Sequence, residues 1–192
     1  DLKAAARFYG AMFGWETAPA TAIGSQGYRF FTRNRCVVAG LGSQMHPGPA
    51  WWTTYVAIDD LEAVVARAIA AGGTVSEPPI DILEAGRMAV LRDTGGAALA
   101  VWEPRGHHGA DLMNEPSAPC WFELACRDAA GARRYYHDVF GWDSTNVASG
   151  KHAYTEFTLD GRSVAGLIEM GREWPGDVPA HWMVYFGVDD CN

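Results

Sequence analysis

The sequence predicts an α+β fold built from tandem units of one strand, one helix and several antiparallel strands. The main observation is an internal repeat, in which FYGAMFGW at 8–15 returns as YYHDVFGW at 135–142. Two further blocks return in the same order, 38–41 at 164–167 and 52–60 at 182–190. Within each copy, strand-like runs alternate with amphipathic helical segments. Matched blocks in a constant order indicate a tandem duplication.

The repeat is cut at both ends of the sequence. The second copy stops at Asn192, where the first copy continues through Leu61, and the chain opens on a helix start at Asp1. We therefore expect a longer protein of roughly 260 residues, with two repeats of about 130.

The first copy begins with a helix from Asp1, a suitable N-cap, to Phe13, and Gly14 ends it. A second helix follows Asp59 or Asp60 and ends at 72–73. The remaining predicted elements are a hairpin of 28–32 and 36–41, a strand at 52–58, a loop through 78–79, and strands at 87–91 and 97–102 joined by a turn at 93–96.

A polar segment rich in Gly, Pro and His separates the two copies and predicts a linker at 104–119. The order of elements then restarts with a strand at 121–126, a helix from the Asp128 cap to Phe140, and strands near 154–159, 163–169 and 182–188. We predict one domain at 1–103, without its first strand, and a second at 120–192, incomplete at its end.

Composition limits the classes of function. The hydrophobic content of 48% and charged content of 20% are typical of globular proteins. A net charge of −8 disfavours nucleic acid and anionic membranes as partners, and no apolar run approaches the roughly 18 residues of a membrane span. The cysteines lack metal-ligand spacing and no signal peptide is visible, so we predict free thiols in a cytoplasmic protein. They are Cys36, Cys120, Cys126 and Cys191.

A helix ending in F-Y-x-x-x-F-G-W and a hairpin reading G-R-x-x-x-x-x-D-x-x-G-A resemble the vicinal oxygen chelate superfamily. This superfamily includes glyoxalase I, bleomycin-resistance proteins and extradiol dioxygenases. The matching residues are Phe8-Tyr9 with 13–15, Tyr135-Tyr136 with 140–142, and Gly86-Arg87 with Asp93, Gly96 and Ala97. The resemblance covers essentially the whole chain and looks closest to members with two fused glyoxalase-like domains. It implies βαβββ units that pair into cups, each with a divalent metal on its floor.

The resemblance also implies where the metal ligands would stand, usually as His or Glu on the first and last strands of each unit. The aligned positions carry no such residue: they are Gly40, Thr53, Ala100, Trp121, Gly166 and Met183. A metal needs about three protein ligands even when one position stays open for substrate. We therefore predict no metal and no other cofactor.

Strand alternation turns one set of side chains into the second cup, formed by the third and fourth units. This set is Trp121, Glu123, His181, Met183 and Tyr185. Glu123 could act as a general acid or base with His181 as its partner. The alternative is that Glu123 pairs with a nearby Arg or meets water at the mouth of the cup, and that His181 is a rim residue.

In the first cup, formed by the first and second units, the inward set includes Trp51, Thr53, Tyr55 and Trp102. Tyr55 and Thr53 could hydrogen-bond a ligand between aromatic walls. The alternative is that these side chains fill the cup as core. Elsewhere we expect His107-His108 in a solvated loop, and Arg87 paired with Asp81 or Asp93.

The function that these observations favour is binding of a small, partly aromatic organic molecule in one or both cups without a metal. The resemblance to the bleomycin-resistance branch implies sequestration. One alternative is a metal-independent lyase, isomerase or hydrolase that uses Glu123 and His181. Another is a metal-dependent glyoxalase or dioxygenase, if segments outside this sequence supply ligands. A structural or interaction role would follow if both cups were filled by their own Trp residues.

We also expect copies of the chain to associate through free strand edges.

Overall fold

A computed structural model describes residues 1–20, 27–44, 48–149 and 152–190, and it confirms the α+β class. The elements are α1 (Leu2–Phe13), β1 (Glu16–Pro19), β2 (Arg29–Arg33), β3 (Cys36–Leu41), β4 (Tyr55–Ala57), α2 (Leu61–Ala70), β5 (Thr74–Ile82), β6 (Gly86–Arg92), β7 (Ala98–Pro104), β8 (Pro119–Cys126), α3 (Ala129–Phe140), β9 (Asp143–Ser149), β10 (His152–Leu159), β11 (Arg162–Glu169) and β12 (His181–Phe186). Among the residues described, no helix is both long and apolar enough to cross a membrane.

The strands of the described residues form three sheets, in the orders β1-β2-β3, β4-β7-β6-β5 and β12-β8-β11-β10-β9. In the second and third sheets, the first strand of a unit runs parallel to its last strand, β4 beside β7 and β8 beside β11. The fourth unit begins with β12, which pairs antiparallel with β8. Two units therefore meet edge to edge at β8 and β12, where the second cup was predicted.

Local signals placed the helix ends correctly. The carboxylates of Asp1, Asp60 and Asp128 each accept hydrogen bonds from backbone amides in the first turn of the following helix. Gly14 and Gly141 end α1 and α3 in the left-handed conformation, at φ 68° and 71°, which glycine adopts without a steric penalty. Of the Asp59-Asp60 pair it is therefore Asp60 that caps α2.

Several strand boundaries differ from the prediction. Residues 78–79 were expected in a loop, but both prolines lie within β5, the edge strand of its sheet. An edge strand tolerates proline because its outward amides need no partner, and the register shifts between Glu77 and Ile80. β4 begins at Tyr55 rather than at residue 52, and β1 and β9 had not been predicted.

The main hydrophobic core joins elements of both copies. It contains Leu61 and Val64 of α2 together with Tyr136 and Val139 of α3. The Arg67 guanidinium reinforces this contact by donating from Nε to the Val139 carbonyl at 2.8 Å. The core thus joins elements that precede the segment at 104–119 to elements that follow it. The proposed domain limits stay a prediction.

A buried hydrogen-bond network crosses the same core. The Tyr136 hydroxyl donates to Asp93 Oδ2 at 2.9 Å and accepts from Trp182 Nε1 at 3.0 Å. Asp93 Oδ1 also accepts from the backbone amides of Gly95 and Ala97, at 2.8 and 2.9 Å. Burial raises the pKa of the Asp93 carboxyl, although these hydrogen bonds oppose the shift. The network links the turn between β6 and β7 to α3 and β12.

We predict that Tyr136→Phe lowers the free energy of unfolding by about 1–3 kcal/mol, because it leaves a buried carboxyl oxygen and a buried indole N–H unpaired. The neighbouring Tyr135 supplies a matched control, since its buried hydroxyl has no hydrogen-bond partner. Tyr135→Phe should be neutral or stabilising. Urea denaturation of both variants measures the difference, and equal losses would contradict the role of the network.

Candidate functional site

The floor of the second cup lies where β8 and β12 run side by side. The register sets Met183 opposite Glu123 and Tyr185 opposite Trp121. On the other side of β8, Gly166 of β11 is also paired with Glu123. Residues paired across strands share one face of a sheet, so this part of the sequence prediction agrees with the register.

Polar atoms converge on Glu123. The Tyr185 hydroxyl donates to Glu123 Oε1 at 2.9 Å, and the Tyr154 hydroxyl of β10 lies close to the same carboxyl group, which raises the Tyr154 pKa. Trp121 Nε1 donates to the Tyr154 hydroxyl at 2.8 Å. Glu123 is only 8% exposed, whereas Tyr185 is 43% exposed. The arrangement is a buried carboxyl group held between two phenols, one of which reaches the surface.

Both phenols are poor acids in this setting. Burial, as the largest cause, and the neighbouring Glu123 carboxylate together raise the pKa of Tyr154 to about 12. Burial and then Glu123 likewise raise the pKa of Tyr185 to about 12. The two hydroxyl groups therefore keep their protons at neutral pH and can donate to Glu123 or to a bound molecule.

A glycine makes room for the Tyr154 hydroxyl. A Cβ atom at Gly166 would collide with the Tyr154 hydroxyl and come within 2.9 Å of Trp121 Nε1. The first unit repeats the arrangement, since a Cβ atom at Gly40 would collide with the Tyr28 hydroxyl. Gly40 and Gly166 are the positions at which the family resemblance places a metal-binding Glu. In both units a tyrosine hydroxyl occupies the space that such a side chain would enter.

The residues present therefore do not fit a divalent metal of the Fe, Mn, Zn or Ni type. The six aligned positions carry Gly, Thr, Ala, Trp, Gly and Met, whereas these metals prefer imidazole or carboxylate ligands in such sites. Within the described part of the chain, no group of three or more His, Cys, Asp or Glu side chains could hold a metal ion.

His181 does not share the hydrogen bonds of Glu123. It lies opposite Ala125 in the register, and its Nδ1 is 2.8 Å from the Pro179 carbonyl oxygen. Its ring also approaches Trp174, with centroids 6.2 Å apart. The structure brings Tyr185 and Tyr154 to Glu123 instead, and the acid–base pair of Glu123 with His181 stays a prediction.

Sequence reasoning included Tyr185 but missed Tyr154. A signal was present, because Tyr28 and Tyr154 stand at the same distance before the repeated VAGL blocks that contain Gly40 and Gly166. When a tyrosine and a glycine on the next strand recur together, the pattern indicates that the tyrosine ring fills the space that the glycine leaves open.

The first cup contains a second pair of phenols. Burial raises the pKa of Tyr28, and burial followed by repulsion from Tyr28 raises the pKa of Tyr55 to about 12. Tyr55 is nevertheless 47% exposed, and Trp51 and Thr53 of the predicted ligand-binding set are exposed as well. Trp102 is 8% exposed and its indole N–H donates to the His107 carbonyl at 2.8 Å.

Two further sequence predictions concern residues near the first cup. Trp102 packs in a small cluster with Ala85 and Met88, which favours the core alternative for this side chain. Arg87 lies 3.8 Å from Asp81, one of its two predicted partners, but its hydrogen-bonded partner is Glu62. Asp93 is held by Tyr136 instead.

A cleft of about 240 Å³ lies outside this group of polar residues, bordered by Phe122, Trp142, Trp182 and Thr54. The Thr54 hydroxyl is buried without a hydrogen-bond partner, and the walls are mainly apolar. Binding sites combine apolar walls with several convergent polar groups. The second cup meets this description better, so we take it as the candidate site.

Known proteins resemble the chain in sequence along its whole length. Residues 1–102 match the family model of the glyoxalase-like domain. A glyoxylase-named protein, CFP32 of Mycobacterium tuberculosis (strain CDC 1551 / Oshkosh), is 38% identical over 200 residues, which cover 100% of this chain and 75% of that protein. The anthracycline biosynthesis protein DauV of Streptomyces sp. (strain C5) is 34% identical over 209 residues, covering 100% of this chain and 74% of the relative.

Solved structures share the fold at low sequence identity. The Mn(II)-bound glyoxalase from Novosphingobium aromaticivorans superposes with a TM-score of 0.61 at 16% identity, over 88% of this chain and 58% of that protein. The 2,2',3-trihydroxybiphenyl 1,2-dioxygenase from Sphingomonas wittichii strain RW1 gives a TM-score of 0.59 at 15% identity, over 96% of this chain and 66% of the enzyme.

We predict that Gly166→Ala lowers the free energy of unfolding by about 1–3 kcal/mol, because the new methyl group must displace the Tyr154 ring. Gly176→Ala is the matched control, since a Cβ atom there meets nothing within 4 Å. In a Tyr154→Leu background the cost of Gly166→Ala should fall. Thermal or urea unfolding of the double-mutant cycle measures this coupling, and an unchanged cost would contradict the packing assigned to Tyr154.

Proposed function

The chain belongs to the glyoxalase-like family of the vicinal oxygen chelate superfamily, and we propose that it binds a small, partly aromatic organic molecule without the divalent metal of that superfamily. The observation that carries this proposal is the position of the Tyr154 hydroxyl beside Gly166, in the space that a metal-binding Glu side chain at residue 166 would occupy. With that space filled by a phenol, the floor of the cup offers hydrogen-bond donors rather than metal ligands.

The walls of the second cup suit a planar ring system. Trp121, Tyr154 and Tyr185 supply aromatic surface, and Met183 lies opposite Glu123 as an adaptable apolar contact. The relatives named for anthracycline biosynthesis point to polycyclic aromatic compounds as the ligand class. Carbonyl and hydroxyl groups on such a ring system are natural partners for protonated phenols.

Sequestration is the simplest function of this arrangement, because binding alone needs no reactive group. A bound molecule would be shielded from water and from other enzymes for as long as it occupied the cup. The ligand would be held by ring contacts and oriented by the hydroxyl groups, as in small-molecule sites generally.

A second candidate, metal-independent acid–base catalysis, is favoured by the burial of Glu123 between two phenols. Glu123 would accept a proton from one atom of the bound molecule and either return it to another atom or leave that step to His181. Chromatography of the ligand after incubation distinguishes the two functions. Sequestration returns the ligand unchanged, whereas catalysis gives a product with the wild type and little or none with Glu123→Gln.

We predict that the full-length protein, purified without chelators, carries far less than about one equivalent of Fe, Mn, Ni or Zn per chain. The reason is that the aligned positions offer no imidazole or carboxylate ligand. Elemental analysis measures the content. About one tightly held equivalent would contradict the metal-free proposal and favour a glyoxalase or dioxygenase.

We also predict that the full-length protein binds a planar hydroxyquinone such as alizarin, and that Tyr154→Phe weakens binding by roughly fivefold through loss of one hydrogen bond. Tyr28→Phe is the matched control, because it removes the corresponding hydroxyl in the first cup. Quenching of tryptophan fluorescence measures both affinities. A loss confined to Tyr28→Phe would move the site to the first cup, and no binding by the wild type would contradict an aromatic ligand of this kind.

A further inference from the structure

Two carboxyl groups are buried among the described residues, those of Asp93 and Glu123, and they are satisfied in different ways. Asp93 accepts from two backbone amides of its own turn and from the Tyr136 hydroxyl. These donors enclose it within the core. Its role is fully explained by the fold.

Glu123 has fewer donors and a different setting. Its hydrogen bond comes from the Tyr185 phenol, and no backbone amide in the described part of the chain donates to its carboxyl oxygens. The two oxygens of a carboxylate offer about four lone-pair positions, so the carboxyl group has capacity for another donor.

No cationic side chain of the described residues forms an ion pair with Glu123. The ion pairs among the described residues join Arg87, Arg105 and His137 to other carboxylates. A buried carboxylate without a positive partner is costly, and proteins normally pair such a group. The residue that faces Glu123 across β12 is Met183, which is uncharged.

The surroundings of Glu123 are those that favour an organic cation. Trp121, Tyr154 and Tyr185 form a connected set of aromatic rings around the carboxyl group. Aromatic rings attract ammonium groups, most strongly where water is excluded. The net charge of −8 adds a long-range attraction for cations.

We propose that Glu123 is the anchor for a protonated amine or quaternary ammonium group on the aromatic ligand of the second cup. This inference rests on the proposed function and adds the charge of the ligand to it. The ammonium group supplies a positive partner that the described residues do not give Glu123, while the aromatic part of the ligand contacts the walls. The repeat pairs Tyr55 of the first cup with Tyr185 of the second, so this phenol is common to both cups and the preference rests on Glu123.

The test uses two probes of the same shape and different charge, 1-naphthylmethylamine, which is protonated at pH 7, and 1-naphthalenemethanol. Isothermal titration calorimetry on the full-length protein gives both dissociation constants. We expect the amine to bind at least about tenfold more tightly than the alcohol.

Two variants assign that preference to Glu123. Glu123→Gln keeps the size of the side chain and should reduce the ratio of the two affinities to near one, because the amine loses more binding than the alcohol. Met183→Lys places an internal ammonium group opposite Glu123 and should abolish the preference without removing the carboxylate. Glu84→Gln is the control, because Glu84 is exposed and its loss changes the net charge of the protein equally.

The outcomes separate this inference from the proposed function. Equal affinities for amine and alcohol, or a preference that survives both variants, would overturn the anchoring role and leave aromatic binding intact. If Glu84→Gln reduced the preference for the amine as much as Glu123→Gln does, the preference would come from the net charge of the protein, and the anchoring role of Glu123 would be overturned. Failure of the wild type to bind either naphthyl probe or alizarin would overturn both proposals.

Discussion

The hydrogen bond between the Tyr136 hydroxyl and the Asp93 carboxyl holds together the part of the molecule on which the candidate site depends. It joins α3 to the turn between β6 and β7, and Trp182 extends the network to β12. β12 carries Met183 and Tyr185 to the floor of the cup. Because Trp182 and Tyr185 lie on opposite faces of one strand, the buried network on one side fixes the depth and register of the polar residues on the other.

The cup itself depends on a second constraint, the close approach of a tyrosine to a glycine on the neighbouring strand. Tyr154 with Gly166 and Tyr28 with Gly40 are two instances of one solution in two units. Any larger residue at the glycine would force the phenol out, and without the phenol the glycine would leave a void. The two positions therefore act as a pair. Under the proposed function, the phenol of the pair stands in the place of a metal ligand and serves as a hydrogen-bond donor to an organic molecule.

Much of the fold could be predicted because its signals are local. The caps at Asp60 and Asp128 and the stops at Gly14 and Gly141 depend on short-range hydrogen bonds and φ angles that the sequence shows directly. The strand through 78–79 was missed because its prolines are acceptable only at a sheet edge, which is a property of the pairing rather than of the segment.

The site was predictable only in part for a similar reason. Alternation along β8 and β12 pointed to Glu123 and Tyr185, but their proximity to Tyr154 involves four neighbouring strands, β12, β8, β11 and β10, and depends on register.

The duplication also shows which floor residues the two cups share. Each keeps a phenol beside a glycine, so the frame of the floor is common to both. The block at 52–60 returns at 182–190, so Tyr55 of the second unit corresponds to Tyr185 of the fourth, and both cups have a phenol at this position as well. Glu123 belongs to the first strand of the third unit, so the proposed preference for a cation rests on that strand and not on the paired tyrosines. A carboxyl group beside neutral phenols adds charge to the floor without a change in the strands or the backbone register.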